Sequence, residues 1–421
     1  MTPQVKQRIE QIRCGKVPEG YKKSEVGIVP KEWEETYFKT MFSRVTRKNK
    51  EGNNNVLTIS AQYGLISQRD FFNKDIASDD KSNYYLLEKG EFAYNKSYSN
   101  GYPFGALKRL DMYDKGIVSP LYICFAANEE NKCPDFYVHY FESGKMNREI
   151  QAFAQEGARN HGLLNISVDD FFNSNIVAPS LPEQEKVAEI LFAQDKVIAL
   201  KEKLIEEKKR QKKALMQQLI TGKKRLPGFD SEWTPIKLEK LLKERKTYSQ
   251  KGLEYPHVTL STDGIYAKSE RYDRDHLVKD ENKEYKITHK GDICYNPANL
   301  KFGVICVNDF GDAIFSPVYV TFEIQKGVEL DYISNYLMRW DFINAVREYE
   351  EGTVYERKAV KPEDFLKFKI LLPPIEEQKA IANILVKADR EIKLLQKQLN
   401  QEKQKKKALM QLLLTGIVRV K

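Results

Sequence analysis

The sequence predicts an α+β protein of two mixed α/β modules joined by two long antiparallel coiled-coil helices, related by an internal pseudo-two-fold repeat. Three observations lead there. Residues 179–222 (PSLPEQEKVAEILFAQDKVIALKEKLIEEKKRQKKALMQQLITG) and 373–416 (PPIEEQKAIANILVKADREIKLLQKQLNQEKQKKKALMQLLLTG) align without a gap, about 20 of 44 positions being identical. Each copy carries one apolar stripe at 3-4 spacing, in the same phase. Each is preceded by roughly 150 dissimilar residues whose middle parts read as strands. One helical device is therefore used twice, each time behind a different module.

Along the chain, residues 1–20 form an N-terminal helix. Its segment KQRIEQIRCGKVPEGY resembles KALMQQLITGKKRLPGF at Lys213 to Phe229, with Gly15 against Gly222. The N-terminus thus looks like what would follow Gly416 in a closed circle. The first module spans 21–180 and the second 223–373. Trp33 answers Trp233, KGEFAYN at Lys89 to Asn95 answers KGDICYN at Lys290 to Asn296, and IVSPLYICF answers IFSPVYVTF. Asp170-Phe171 answers Asp364-Phe365. KMNREIQAFAQ and DYISNYLMRWDFINAVRE read as helices.

The central helix spans 181–222 and the C-terminal helix 374–421. Each opens on proline followed by acidic residues, which suits a helix N-terminus with its free amides, and closes on Thr-Gly. Some 38 residues at 1.5 Å rise make a rod of roughly 57 Å. The seam is Val187, Leu191, Gln194, Ile198, Lys201, Ile205, Lys208, Lys212, Leu215 and Leu219 in the first copy. In the second it is Ile381, Leu385, Ala388, Ile392, Leu395, Leu399, Glu402, Lys406, Leu409 and Leu413. Antiparallel packing would set Lys201 over Leu399, Lys208 over Ile392 and Lys212 over Ala388, burying lysine stems on apolar or small partners.

The 421 residues suffice for two or three domains. No stretch reaches the roughly 18 apolar residues of a membrane span, and MTPQVKQRIEQIRCG lacks the apolar core of a secretory signal. Five scattered cysteines suggest unpaired thiols in a reducing cytoplasm, and Cys124, Cys133, Cys294 and Cys306 sit in core-like contexts. The net charge of +9 resides mainly on the helices, so charge alone does not establish a nucleic-acid partner. No phosphate-binding loop, zinc spacing or nucleophile triad is present in the sequence. Asn296-Pro297-Ala298-Asn299 faintly resembles the Asn-Pro-Pro-aromatic loop of amino-methyltransferases, but lacks the second proline and the aromatic, and reads as a turn.

The duplicated unit of a variable module, LPPIEEQKAIANIL and a Lys-rich helix ending KKALMQLLLTG resembles the specificity subunit of type I restriction–modification enzymes. YKKSEVGIVPKEW and LPGFDSEW as module openings strengthen the likeness, which covers essentially the whole chain. The resemblance implies a non-catalytic subunit whose modules are target-recognition domains, each reading half of a bipartite, asymmetric site in double-stranded DNA. It implies spacer helices that fix the gap, two methyltransferase subunits and motor-nuclease subunits as partners, and no membrane. Catalytic, cofactor and metal sites are then absent from this chain, and S-adenosylmethionine, ATP and Mg are expected in the partners.

Base and backbone contacts call for Arg, Lys, Asn, Gln and Tyr beside glycine. In the first module the candidates are Asn95, Lys96, Tyr98, Tyr102, Lys108 and Arg109, with Arg159, Asn160 and His161 in GARNHG. In the second they are Asn296, Asn299 and Lys301 in YNPANLKFG, with Tyr355, Arg357 and Lys358 in GTVYERK. Two other classes remain open at this point. One is a self-sufficient DNA methyltransferase or nuclease with unrecognised motifs, and the other is a structural coiled-coil scaffold.

Overall fold

The computed structural model describes residues 2–60, 64–72, 80–99, 101–156, 164–250, 254–268, 284–349 and 359–420. The chain divides into two compact units, Met1–Glu202 with Gln398–Lys421 and Lys203–Lys397. The division falls inside the long helices, so each unit holds one module and part of each helix.

In the first unit a four-stranded antiparallel sheet runs in the order Phe42–Arg44, Ile123–Ala127, Phe92–Asn95, Ala106–Arg109. Strand Phe92–Asn95 comes from KGEFAYN and Ile123–Ala127 from IVSPLYICF. Aromatic residues fill one side. Phe92 stacks on Phe125 at 5.2 Å and Tyr94 on Phe171 at 5.1 Å, all buried with Phe38, Phe42 and Phe141. In the second unit the sheet order is Leu242–Glu244, Val320–Ile324, Ile293–Tyr295, Ile305–Val307. The repeat extends to the packing, because Tyr295 stacks on Phe365 at 5.0 Å as Tyr94 does on Phe171.

The helical readings need two adjustments. DYISNYLMRWDFINAVRE is two helices, Leu330–Leu337 and Trp340–Val346. Arg339 leaves helical geometry at φ −72°, ψ 138°, and its guanidinium grips Asp341 in the first turn of the second helix. The helix Pro134–Glu142, absent from the sequence reading, starts on a proline and buries Phe136, Tyr137, His139, Tyr140 and Phe141. That face is almost wholly aromatic, which resembles a strand run as much as a helical stripe.

The two long helices are Leu181–Ile220 and Ile375–Leu413. All twenty seam positions are buried or half-buried. In the first unit Val187, Ala188 and Leu191 share a core with Met410, Leu413 and Leu414, and the Gln194 amide donates to Glu402 at 2.9 Å. In the second unit Leu219 and Ile220 share one with Ile381, Ala382 and Leu385. The pairing is antiparallel in both. Lys201 reaches Gln398 at 3.1 Å, Lys208 reaches Glu391 at 2.6 Å and Lys212 reaches Asp389 at 2.6 Å. Each ammonium thus finds a polar group one residue from the expected apolar partner.

The N-terminal segment meets the end of the second long helix in the first unit. Helix Pro3–Arg13 is capped by the Thr2 side chain. The Tyr21 hydroxyl donates to the Gly416 carbonyl at 2.6 Å, and the Arg8 guanidinium donates to the Ile417 carbonyl. The glycines that end the three related helices, Gly15, Gly222 and Gly416, have φ of 70°, 70° and 67°, a left-handed conformation that favours glycine. At Gly416 a Cβ would also come within 2.4 Å of the Pro30 ring. Cys124, Cys133, Cys294 and Cys306 are buried free thiols.

Candidate nucleic-acid interface

Asn95 and Asn296 occupy the same place in the two units. Each follows a buried tyrosine at the end of a sheet strand and starts the loop that returns to the next strand. Tyr94 anchors its own loop by donating to the Phe104 carbonyl at 2.6 Å, whereas Tyr295 donates to the Val360 carbonyl at 3.0 Å, beyond its loop. The asparagines then shape the turns. Asn95 Oδ1 accepts from the Ser97 amide at 3.1 Å, and Asn296 Oδ1 accepts from Ala298 and Asn299 at 3.1 and 3.2 Å.

The first-module candidates separate into free and engaged groups. Tyr98 is 62% exposed. Lys96 is half-buried, and that burial lowers its pKa. Lys108 is ion-paired to Glu142, which also accepts from the Tyr102 hydroxyl, and Lys108 reaches Tyr102 at 3.0 Å. Arg109 spans Asp111 at 2.7 Å and Asp135 at 2.6 Å. Tyr102, Lys108 and Arg109 are therefore held inside the module. Arg159, Asn160, His161, Tyr355, Arg357 and Lys358 lie outside the described residues.

In the second module Asn299 is exposed and stands at the N-cap position of the short helix Leu300–Phe302 without a side-chain capping bond. The Lys301 ammonium lies 5.2 Å from the centre of the Phe302 ring. Phe302 is 60% exposed and Trp340 is 52% exposed. The Trp340 ring covers Gly303, where a Cβ would meet it at 3.7 Å. The structure thus joins to Asn299 and Lys301 two exposed rings that the sequence reading missed. Its signal was hidden because Trp340 was placed within one continuous helix, whereas the break at Arg339 sets it at a helix start.

A sequence profile of type I restriction modification DNA specificity domains matches residues 30–210 and again 231–404. The chain belongs to that specificity family. It is 25% identical over 433 residues to the putative type I restriction enzyme MjaX specificity subunit of Methanocaldococcus jannaschii, covering 96% of this chain and 97% of that protein. Likeness to the MjaVIII specificity subunit of the same organism is 25% over 333 residues, 73% of this chain and 75% of the other. Among solved structures, a chain from a type I R-M system studied for complex assembly and conformational transition aligns over 93% of this chain and 99% of its own length, with TM-score 0.55 and 16% identity. A type-I restriction-modification system S subunit from M. genitalium aligns over 90% and 96%, with TM-score 0.52 and 13% identity. At these identities the structural likeness concerns the fold.

The specificity-family repeat is pinned by two matching clusters. In the first unit buried Glu183 accepts from Arg419 at 2.6 and 2.7 Å and from the Trp33 indole at 3.3 Å. In the second, Glu377 accepts from Arg225 at 2.7 and 2.9 Å and from the Trp233 indole at 3.0 Å. The following glutamines also correspond, Gln184 donating to the Pro179 carbonyl at 2.9 Å and Gln378 to the Pro373 carbonyl at 2.8 Å. The acidic residues expected to serve the helix dipole thus also bind module to helix. Among the described residues no cluster of three His, Cys, Asp or Glu side chains could hold a metal ion.

His139 is a buried histidine of this specificity-family chain whose pKa is strongly displaced. It packs edge-on against Phe192 at 4.5 Å, with Nδ1 3.8 Å from Asp195 and Nε2 without a partner. Burial, and then the Lys406 charge, push its pKa down to about 4, with Glu142 and Asp135 opposing and Arg109 reinforcing. Because the folded pKa lies below the unfolded value, its neutral form contributes stability that is complete above about pH 6.5 and lost as pH falls toward 4. From this group alone the first unit should be about 2 kcal/mol less stable at pH 5 than at pH 7.5. Urea denaturation at both pH values reads it, and His139→Leu should remove that component. An equal acid loss in the variant would assign the effect elsewhere.

Proposed function

We propose that this chain reads a bipartite, asymmetric double-stranded DNA site, one half per module, as the non-catalytic recognition subunit of a restriction–methyltransferase assembly. The observation that carries the reading is the double family match, each copy covering a module and part of the helix that follows it. In this reading residues 21–180 and 223–373 are the two target-recognition domains. Residues 181–222 and 374–421 are the spacers, and 1–20 completes the circular repeat. Dissimilar loops at equivalent places, KSYSNGYPFG against PANLKFG, suit readers of two different half-sites. Asn299, Lys301, Phe302 and Trp340 offer the second module an amide, a cation and two stacking or wedging rings.

Two methyltransferase subunits dock on the chain and supply S-adenosylmethionine chemistry, and motor-nuclease subunits with ATP and Mg join for cleavage. Val197 and Leu200 support a docking face. They are 39% and 57% exposed, and their spacing of three residues puts them side by side outside the seam. The test uses the purified full chain with DNA and S-adenosylmethionine. Alone it should transfer no methyl groups, and adding its methyltransferase partner should produce sequence-specific methylation. Robust transfer by the chain alone would overturn the reading. In the reconstituted assay Trp340→Ala should weaken methylation at the native site.

A further inference from the structure

A cavity of about 610 Å³ opens in the first unit, between the turn joining helices Pro134–Glu142 and Asn147–Phe153 and the C-terminal part of the second long helix. Lys145 projects from the turn. Lys403, Lys406 and Lys407 come from one face of the helix, where spacings of three and four residues bring side chains together. Four cations thus line the space against one carboxylate, Glu142, which Lys108 and Tyr102 already occupy. Two of the four are also matched, Lys403 by Glu202 at 2.6 Å and Lys406 by Asp195 at 2.5 Å.

Among the described residues Lys145 and Lys407 have no ion-pair or side-chain hydrogen-bond partner. Lys145 is half-buried as well, and loss of solvent pulls its pKa down to about 8. A desolvated cation without a counter-charge is unfavourable, and an anion entering the cavity would offset that cost. Gly101, Tyr102 and Gly105 also line the space, so it borders the loop that carries the first module's candidate contacts.

We propose that this cavity binds a phosphate group, Lys145 and Lys407 forming its charged clamp, and that the group is a backbone phosphate of DNA held by the first module. The inference deepens the DNA-reading function and rests on it. A phosphate there would position the duplex without reading sequence.

The test uses the full chain in complex with its methyltransferase subunits, comparing wild type with Lys145→Gln, Lys407→Gln and the double variant. Loss of both lysines should flatten the dependence of log affinity on log salt by about one unit, each single substitution by part of that, while the preference for the native site is unchanged. Lys145→Arg supplies a second readout. Tyr102, Glu142, Lys403, Lys406 and Lys407 are the other titratable groups around Lys145. Anion binding favours charged Lys145, so wild-type affinity should fall about tenfold from pH 7 to pH 9, and the arginine variant should lack that fall. Calorimetric titration with inorganic phosphate separates the sources. Phosphate binding that the double variant loses, without any change in the salt slope, would keep the site and assign it to a free phosphate rather than DNA. Unchanged slopes together with no phosphate binding would overturn the proposal. Failure of the wild-type complex to prefer any DNA sequence would refute the DNA-reading function instead.

Discussion

Arg225→Ala should clearly destabilise the second unit, because it removes the only cation from the buried Glu377 carboxylate among the described residues. Glu377 is fully buried and accepts from Nε and Nη2 of Arg225 and from the Trp233 indole, so the substitution leaves it a single neutral donor among the described residues. Arg225→Lys should recover only part of the loss, because a lysine cannot reproduce the paired guanidinium contact. Arg419→Ala should act alike on the first unit, where Arg419 holds buried Glu183 and exposed Glu32. Combining Arg225→Ala with Glu377→Gln should cost less than the separate effects added together. Urea denaturation of these variants measures it. Unchanged urea midpoints for both arginine substitutions would mean that the clusters behave as surface ion pairs.

These clusters mark how far the sequence could be read. The sequence reading aligned Trp33 with Trp233 and Glu183-Gln184 with Glu377-Gln378, while Arg225 and Arg419 lie three residues past the end of the repeat at the same offset. Their contact was not legible, because each glutamate meets a tryptophan more than a hundred residues away. The seam was legible because helical periodicity is local, and Val187, Ile205, Ile381 and Ile392 are buried as the spacing requires. The likeness of the N-terminal segment to Lys213–Phe229 was legible because it is a local sequence match, and Gly15, Gly222 and Gly416 share one left-handed conformation.

The candidate interface was less accessible to such reasoning. Composition selected Lys108 and Arg109 for their charge, but Glu142 and Asp135, brought close only by the fold, already hold them. Conversely, nothing local distinguished Phe302 and Trp340 from core aromatics. Their exposure follows from a helix break and a left-handed glycine, which bring the Trp340 ring over Gly303. Side chains that shape a loop and side chains that could read a base have the same composition, as Asn95 and Asn296 illustrate.

Exchange of one module produces the second large effect and bears on the central claim that two separate readers share one chain. Residues 21–180 would be replaced by the corresponding module of another specificity-family member, keeping Trp33 and the glycine-proline contacts that seat the module on its helices. The hybrid, combined with its methyltransferase partner, is expected to lose methylation at the original site and to gain it at a new one. Mapping of modified adenines across a genome then gives the answer. The account predicts that one half of the recognised sequence changes completely while the other half is retained. A site altered in both halves, or in neither, would contradict it.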